Sequence, residues 1–278
     1  MKTISLNHRN LAGWQREAEP TVMALGCFDG LHHGHEKVIR TALRKAKEKN
    51  LKTSVMTFFP HPRTVLPGKK REFHYLMPQR EKEARLRKMG VDTLYVVEFD
   101  KRFASLPPEQ FVSDYLLGLG VAHAVAGFDF SYGNRGAGNL DRLPADSGYR
   151  IGVTKVEKVG IGDRKISSSL IRETLLKGSV EDIPMLLGRP YEMTCTVDGR
   201  TFIPHPHFTM PAPGAYEVSI KTGTTRIRAE LTVEESRLLS CKTNVLSLQE
   251  GSCTVIWHRA LPEKRQIQPT HLSVQYGY

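Results

Sequence analysis

The chain has 278 residues, 40% of them hydrophobic and 25% charged, which suits one large globular domain or two modest ones with real cores. A polar opening, "MKTISLNHRNLAGWQREAEP", and the lack of a spanning apolar run point to a cytoplasmic protein without a membrane partner, and four cysteines without a C-x-x-C pair read as reduced thiols rather than a disulfide or zinc framework. The net charge of +11 is uneven: residues 191–278 hold 9 Lys/Arg against 8 Asp/Glu, so the positive field belongs to the earlier part, where it is a solvated basic face on helices such as "RTALRKAKEKN" or attracts a polyphosphate substrate or nucleic acid.

In chain order, "TVMALG" (21–26) predicts a buried strand, after which Val38, Ile39, Ala42, Leu43 and Ala46 recur at helical spacing until "KN". "KTSVMTFF" (52–59) is a second strand, "PQREKEARLRKMG" (78–90) a helix opened by Pro and closed by Gly, and "TLYVVEF" (93–99) a third strand. "PPEQFVSDYLLGL" (107–119) and "AHAVAGF" (122–128) continue the alternation. The predicted class is therefore α/β, a Rossmann-like layer with a mainly parallel sheet covered on both faces, and ligands bind such sheets beyond the strands' carboxyl ends. After "ISSSLIRETLLKGSVEDIPMLLGRPY" (166–191) the texture changes to short runs, "YEMTCTV", "AYEVSI", "TTRIRAELTV" and "CTVIWHRA", separated by Pro, Gly and Thr. These predict a small all-β barrel or sandwich, with the boundary near Gly188 and domains at 1–187 and 188–278.

Chemistry concentrates in "GCFDGLHHGHEKVI" (26–39). Gly26 ends the first apolar strand, Gly30 and Gly34 permit close backbone approach, and a helix begins around His33 to His35. A helix start offers free N–H groups to phosphate, and His32 and His35, three apart, lie on one side of its first turn as donors to phosphate oxygens. Helix capping or a histidine metal site is the rival reading; the metal is disfavoured because no carboxylate or cysteine stands at ligand spacing. "ISSSLIR" (166–172) opens a later helix with Ser167, Ser168 and Ser169, a cap in its blandest reading, and Arg172 adds a bidentate phosphate contact. No basic stripe interleaved with aromatics appears, so small molecules rather than nucleic acid are the expected partners.

The H-x-G-H turn is similar to that of the adenylyl-transferring Rossmann-like superfamily. With "TFFPHP" (57–62), "GFDFSYGNRGAG" (127–138), "ISSSLIR" and "LLGRPY" (186–191) in this order, residues 20–191 resemble the bacterial flavin-adenine-dinucleotide synthetase family, riboflavin kinase/FMN adenylyltransferases. The resemblance implies transfer of AMP from ATP to FMN, giving FAD and pyrophosphate, with Mg²⁺ carried by the nucleotide. Gly26, Phe28, Asp29, Gly30, His32, Gly34 and His35 are implied to hold the ATP phosphates and the reacting centre. Pro60, His61 and Pro62 are implied to lie beside the substrates, with Pro60 and His61 toward the flavin, and Asp129 is implied to contact it. Ser167, Ser168, Ser169 and Arg172 match I-S-S-T-x-x-R, with Ser in place of Thr at the third position. His32, His35 and Arg172 are the expected catalytic set.

Family members usually add a riboflavin kinase barrel with a G-F-P-T-A-N motif. Here the aligned stretch reads "VDGRTFIPHPHFTMPAPGAYEVSI", in which "PAPGAYEVSI" matches a family strand and the G-F-P-T-A-N is absent. A barrel without kinase activity is the expectation, serving stability more than chemistry. A bifunctional enzyme with substitute ligands, for which His205, His207 and Glu217 are the first suspects, and a non-enzymatic flavin or nucleotide sensor are the alternatives.

Overall fold

The computed structural model describes residues 1–66, 73–198, 200–205, 207–241 and 251–262. Gly199 and Pro206, in the stretch aligned with the kinase motif, lie outside the described residues. The chain runs β1 (Lys2–Leu6), α1 (Leu11–Arg16), β2 (Thr21–Leu25), α2 (His33–Lys49), β3 (Lys52–Phe59), α3 (Pro62–Val65), α4 (Gln79–Met89), β4 (Thr93–Glu98), α5 (Lys101–Ala104), α6 (Pro108–Phe111) and β5 (Val121–Gly127). Then come β6 (Ser131–Tyr132), β7 (Gly138–Asn139), α7 (Leu143–Asp146), β8 (Gly152–Val156), β9 (Gly160–Ile161), β10 (Arg164–Lys165), α8 (Ser168–Leu176) and α9 (Ile183–Leu187). Six further strands follow: β11 (Glu192–Asp198), β12 (Thr201–Pro204), β13 (Gly214–Thr222), β14 (Thr225–Val233), β15 (Leu239–Cys241) and β16 (Gly251–Ala260).

The first sheet has the order β1-β4-β3-β2-β5-β8, with every neighbouring pair parallel. Buried on both faces, β2 is apolar and inaccessible at nearly every position, which is why it reads as a continuous run rather than an alternation. From β2 the chain steps outward through β3 to β4, then returns to the opposite side of β2 as β5. That reversal opens a crevice beyond the carboxyl ends of β2 and β5, where doubly wound sheets bind ligands. Over it lies α2, which buries Val38, Ile39, Ala42 and Ala46 and ends at Asn50 in the left-handed region. Burying the larger of these side chains contributes about 1.5–3 kcal/mol each.

The helix predicted over 107–119 is α6 followed by a wider π-helical stretch, Val112–Leu117, that still buries Phe111, Val112, Tyr115 and Leu116. β1, β8, β12, β15 and the two-residue strands β6, β7, β9 and β10 are additions to the predicted set. β1 turns only Ile4 and Leu6 inward, so its sequence carries too short an alternation to stand out.

The later strands close into a barrel in the order β11-β12-β15-β14-β13-β16, antiparallel throughout. Trp257, Phe202, Val218, Ile220, Leu231 and Val255 fill it, and the same apolar cluster takes in Ile171 and Leu175 of α8 and Ile183 and Leu187 of α9. All four cysteines are free thiols, and Cys195 stands opposite Cys253 in the β11–β16 register. No helix among the described residues is long and apolar enough to cross a membrane.

Candidate active site

Between β2 and α2 the chain turns sharply, with Phe28 and Leu31 at φ 50 and 47, a conformation that side-chain-bearing residues hold only when their surroundings enforce it. Phe28 is enforced by burial, at 1% exposure. His32 is the cap of α2, its Nδ1 accepting the His35 N–H at 3.3 Å. In the neutral ring that bond leaves the proton on Nε2. The two imidazoles stack at 3.6 Å, and the Phe28 ring meets His35 edge-on at 5.4 Å. Burial, with Lys165 nearby, lowers the His32 pKa to about 4, and burial takes His35 well below its usual value too. Both rings are therefore neutral at pH 7 and act as N–H donors rather than cations. The His35 Nδ1 is buried without a hydrogen-bond partner.

A second helix start faces the first. Ser167 caps α8, its hydroxyl accepting the Leu170 N–H at 3.2 Å. The Ser168 hydroxyl donates to the Asp29 carbonyl at 2.9 Å, which ties α8 to the histidine turn. Arg172 pairs with the Asp29 carboxylate, donates through Nε to the His74 carbonyl at 2.9 Å, and lies over the Phe73 ring at 4.5 Å. Asp29 also accepts the Leu76 N–H, at 3.0 and 3.2 Å. Burial raises the Asp29 pKa, and the Arg172 guanidinium, Lys82 and the Leu76 N–H oppose that rise.

Both helix starts open onto one cavity of about 660 Å³, within the ~300–1,000 Å³ typical of small-molecule sites. Its wall brings together Gly26, Phe28, His32, Gly34, His35, His61, Pro62, Asp129, Ser167, Ser168, Ser169 and Arg172 of the expected set. Asp29, Gly30 and Pro60 stand off that wall. Asp29 lies behind it as the partner of Arg172; Gly30, at φ 86, is wrapped so closely that a Cβ would come within 3.0 Å of Leu76. The His61 ring stacks on Phe73 at 3.9 Å, and burial and the nearby guanidinium of Arg172 take its pKa to about 3. Asp129 is not a bare acceptor: Lys165 pairs with it while lying 4.7 Å over the Phe128 ring.

Sequence reasoning missed Lys165, Arg63 and Arg135 on the same wall, and Lys82 beneath it. Lys82 is 5% exposed and donates to the Cys27 carbonyl at 3.0 Å and to Thr57 at 3.3 Å, bracing the turn from below. Its signal was phase: Lys82 and Leu86, four apart, are the two buried positions of α4. A smaller cavity of about 210 Å³ adjoins, lined by Asp29, Tyr75 and Lys82 on one side and His205, His207 and Phe208 on the other.

Residues 14–170 match the family model described as FAD synthetase. The bifunctional riboflavin kinase/FMN adenylyltransferase of Bacillus subtilis is 40% identical over 275 residues, covering 97% of this chain and 82% of that protein. The FAD synthetase of Listeria monocytogenes is 32% identical over 232 residues, covering 83% of this chain and 93% of its own. Among solved structures, one described as a macrolide-efflux protein from Streptococcus pneumoniae superposes with a TM-score of 0.81 at 28% identity, over 94% of this chain and 100% of that one. With such matches along nearly its whole length, the chain belongs to the FAD synthetase family and is a nucleotidyltransferase that joins FMN to the AMP of ATP.

Proposed function

We propose that the cavity between the α2 and α8 starts is where adenylyl transfer takes place, with MgATP as the nucleotide substrate and without riboflavin kinase activity elsewhere in the chain. The observation that carries this is two helix N-termini, each with its own donors, facing one cavity at the sheet's reversal point. An FMN phosphate oxygen attacks the α-phosphorus of ATP; the new P–O bond forms as the bond to the bridging oxygen breaks, and pyrophosphate leaves with that electron pair. The attacking phosphate is already ionised at pH 7, so the protein's task is orientation and stabilisation of charge on the five-coordinate phosphorus.

His32 Nε2–H, His35, the N–H groups at the start of α2 and the Arg172 guanidinium supply that stabilisation, and Ser167 to Ser169 and Lys165 steer the phosphates. Asp129 and His61 bound the flavin side, Asp129 exchanging its lysine for a polar edge of the ring. Mg²⁺ fits as a phosphate-borne ion, since the wall offers mainly N–H donors and cations. Residues 1–187 are taken as the transferase unit and 188–278 as the barrel unit.

Three placements support the loss of kinase chemistry. The segment where G-F-P-T-A-N would stand buries Phe208 and Thr209, at 2% and 3% exposure. Glu217 is engaged by Arg228 and Arg259. His205 and His207 face the smaller cavity beside Asp29. Incubation with ATP, Mg²⁺ and either FMN or riboflavin, with products separated by chromatography, tests both halves: FAD with equimolar pyrophosphate from FMN, and no FMN from riboflavin. Detectable FMN overturns the second half; folded protein giving no FAD overturns the first.

A further inference from the structure

Phe73 to Leu76 has no regular structure beyond one bridge, yet it supports three groups of the transferase site. The His74 carbonyl accepts from Arg172 Nε at 2.9 Å, the Leu76 N–H donates to Asp29 at 3.0 Å, and the Tyr75 hydroxyl accepts the His61 N–H at 2.9 Å. The Phe73 ring lies between Arg172 and His61, 4.5 Å from the guanidinium and 3.9 Å from the imidazole. An irregular segment needs outside partners for its backbone groups.

Those partners come from the barrel. Tyr75 N–H donates to the His207 carbonyl at 2.6 Å, and Thr209 N–H donates to the Tyr75 carbonyl at 2.9 Å, forming a parallel bridge between Tyr75 and Phe208. The Thr209 hydroxyl lies 3.0 Å from the His74 carbonyl, the same oxygen that receives Arg172. Behind it, the buried Tyr191 hydroxyl donates to the Thr209 carbonyl at 2.8 Å. From the turn after β14, Arg237 donates to His74 Nε2 and to the Phe208 carbonyl, both at 2.8 Å.

We propose that the barrel positions the adenylyl-transfer site: Thr209, with Arg237 beside it, fixes the Phe73–Leu76 segment that aims Arg172 and His61 into the cavity. The segment aligned with the absent kinase motif thus serves the other domain's chemistry. Thr209 and Arg237 touch no substrate; they are positioning residues. The inference rests on the assignment of Arg172 to the phosphates.

The test is steady-state kinetics of FAD formation by the full chain carrying Thr209→Val, Thr209→Ser, Arg237→Met or Arg172→Lys, and the Thr209→Val/Arg172→Lys pair, each with its melting temperature. Thr209→Val is expected to lower kcat about tenfold with KM for ATP and FMN little changed, since misplacing a group by about 1 Å can cost up to ~10²-fold. Thr209→Ser restores kcat, and the double variant loses less than the product of the single losses. Arg237→Met, at an exposed side chain, lowers kcat by a smaller factor in the same direction and guards against misfolding of the Val variant. Wild-type kcat in Thr209→Val and Arg237→Met, whatever their melting temperatures, overturns the proposal, as does multiplication of the two losses in the pair. Wild-type kcat in Arg172→Lys also overturns it, by removing the assignment of Arg172 itself; a lowered kcat there with normal Thr209→Val sinks the barrel's role and leaves the site intact.

Discussion

At the start of α2, His32 caps its own helix and stacks on a histidine three residues along. At the start of α8, Ser168 reaches back 139 residues to the Asp29 carbonyl, and Arg172 pairs with Asp29 across 143. The α2 start takes its cap and its ring stacking from its own first turn, whereas the α8 start adds to its local Ser167 cap two ties to a residue far away in sequence. A local cap costs little to disturb and reports on chemistry, whereas a long-range pair couples chemistry to stability. The contrast also orders the two: α8 is seated on Asp29, which belongs to the α2 turn, so the second site presupposes the first.

Substituting Arg172 gives the largest expected effect. Arg172→Ala removes a charge-stabilising donor, a loss on the order of 10²-fold or more in kcat. It also leaves the buried Asp29 carboxylate unpaired, which costs about 3–5 kcal/mol in denaturant unfolding. Adding Asp29→Asn recovers part of that stability and none of the rate. A wild-type unfolding midpoint for Arg172→Ala would erase the distinction between the two helix ends.

His32→Ala and His35→Ala come next. On the proposed mechanism, in which these donors act on charge developing at the α-phosphorus, each is expected to lower kcat on the order of 10²-fold, more than it raises KM. Stability falls by only about 1 kcal/mol at His32, the usual worth of a lost cap. An unchanged kcat in both variants would move the transition state away from α2.

The smallest effect is on pH dependence. His32, His35 and His61 all titrate below their ordinary value when folded. The unfolded chain then binds protons that the folded one refuses, so stability is full above about pH 6.5 and declines as pH falls toward about 4, through the folded pKa of His32. His32→Asn keeps a capping oxygen and should flatten this slope in melting curves taken between pH 7 and 4. A slope as steep as the parent's would mean that His32 does not contribute.

The same division governs how much was legible beforehand. The caps His32 and Ser167 and the apolar runs of β2 to β5 declare themselves because each is written in a few consecutive residues: both caps take an N–H three positions along. Asp29 was grouped with the nucleotide contacts, while the structure turns its carboxylate onto Leu76 and Arg172, partners 47 and 143 residues away. Lys82 sits in a helix with charges on every side, so its burial depends on Cys27 and Thr57, which only the sheet brings near. Lys165 acquires its meaning from Asp129 and Phe128, on a loop beyond β5. Spacing announces a helix end; it does not announce what is stacked beneath it.

Past α9, the joint itself rests on the histidine turn. Gly188, at φ 72, passes so close to His33 that a Cβ there would lie 2.8 Å from the ring, and Arg189 donates to the Gly30 carbonyl at 3.0 Å. A designer looking for a place to cut, graft or lengthen this chain would choose such a glycine by its sequence. The geometry advises otherwise: a cut there severs Arg189 from the domain whose turn it holds, and an inserted linker gives that turn freedom it lacks in the intact protein. The barrel is accordingly a poor candidate for exchange between relatives, because its point of attachment is packed onto the histidine turn itself.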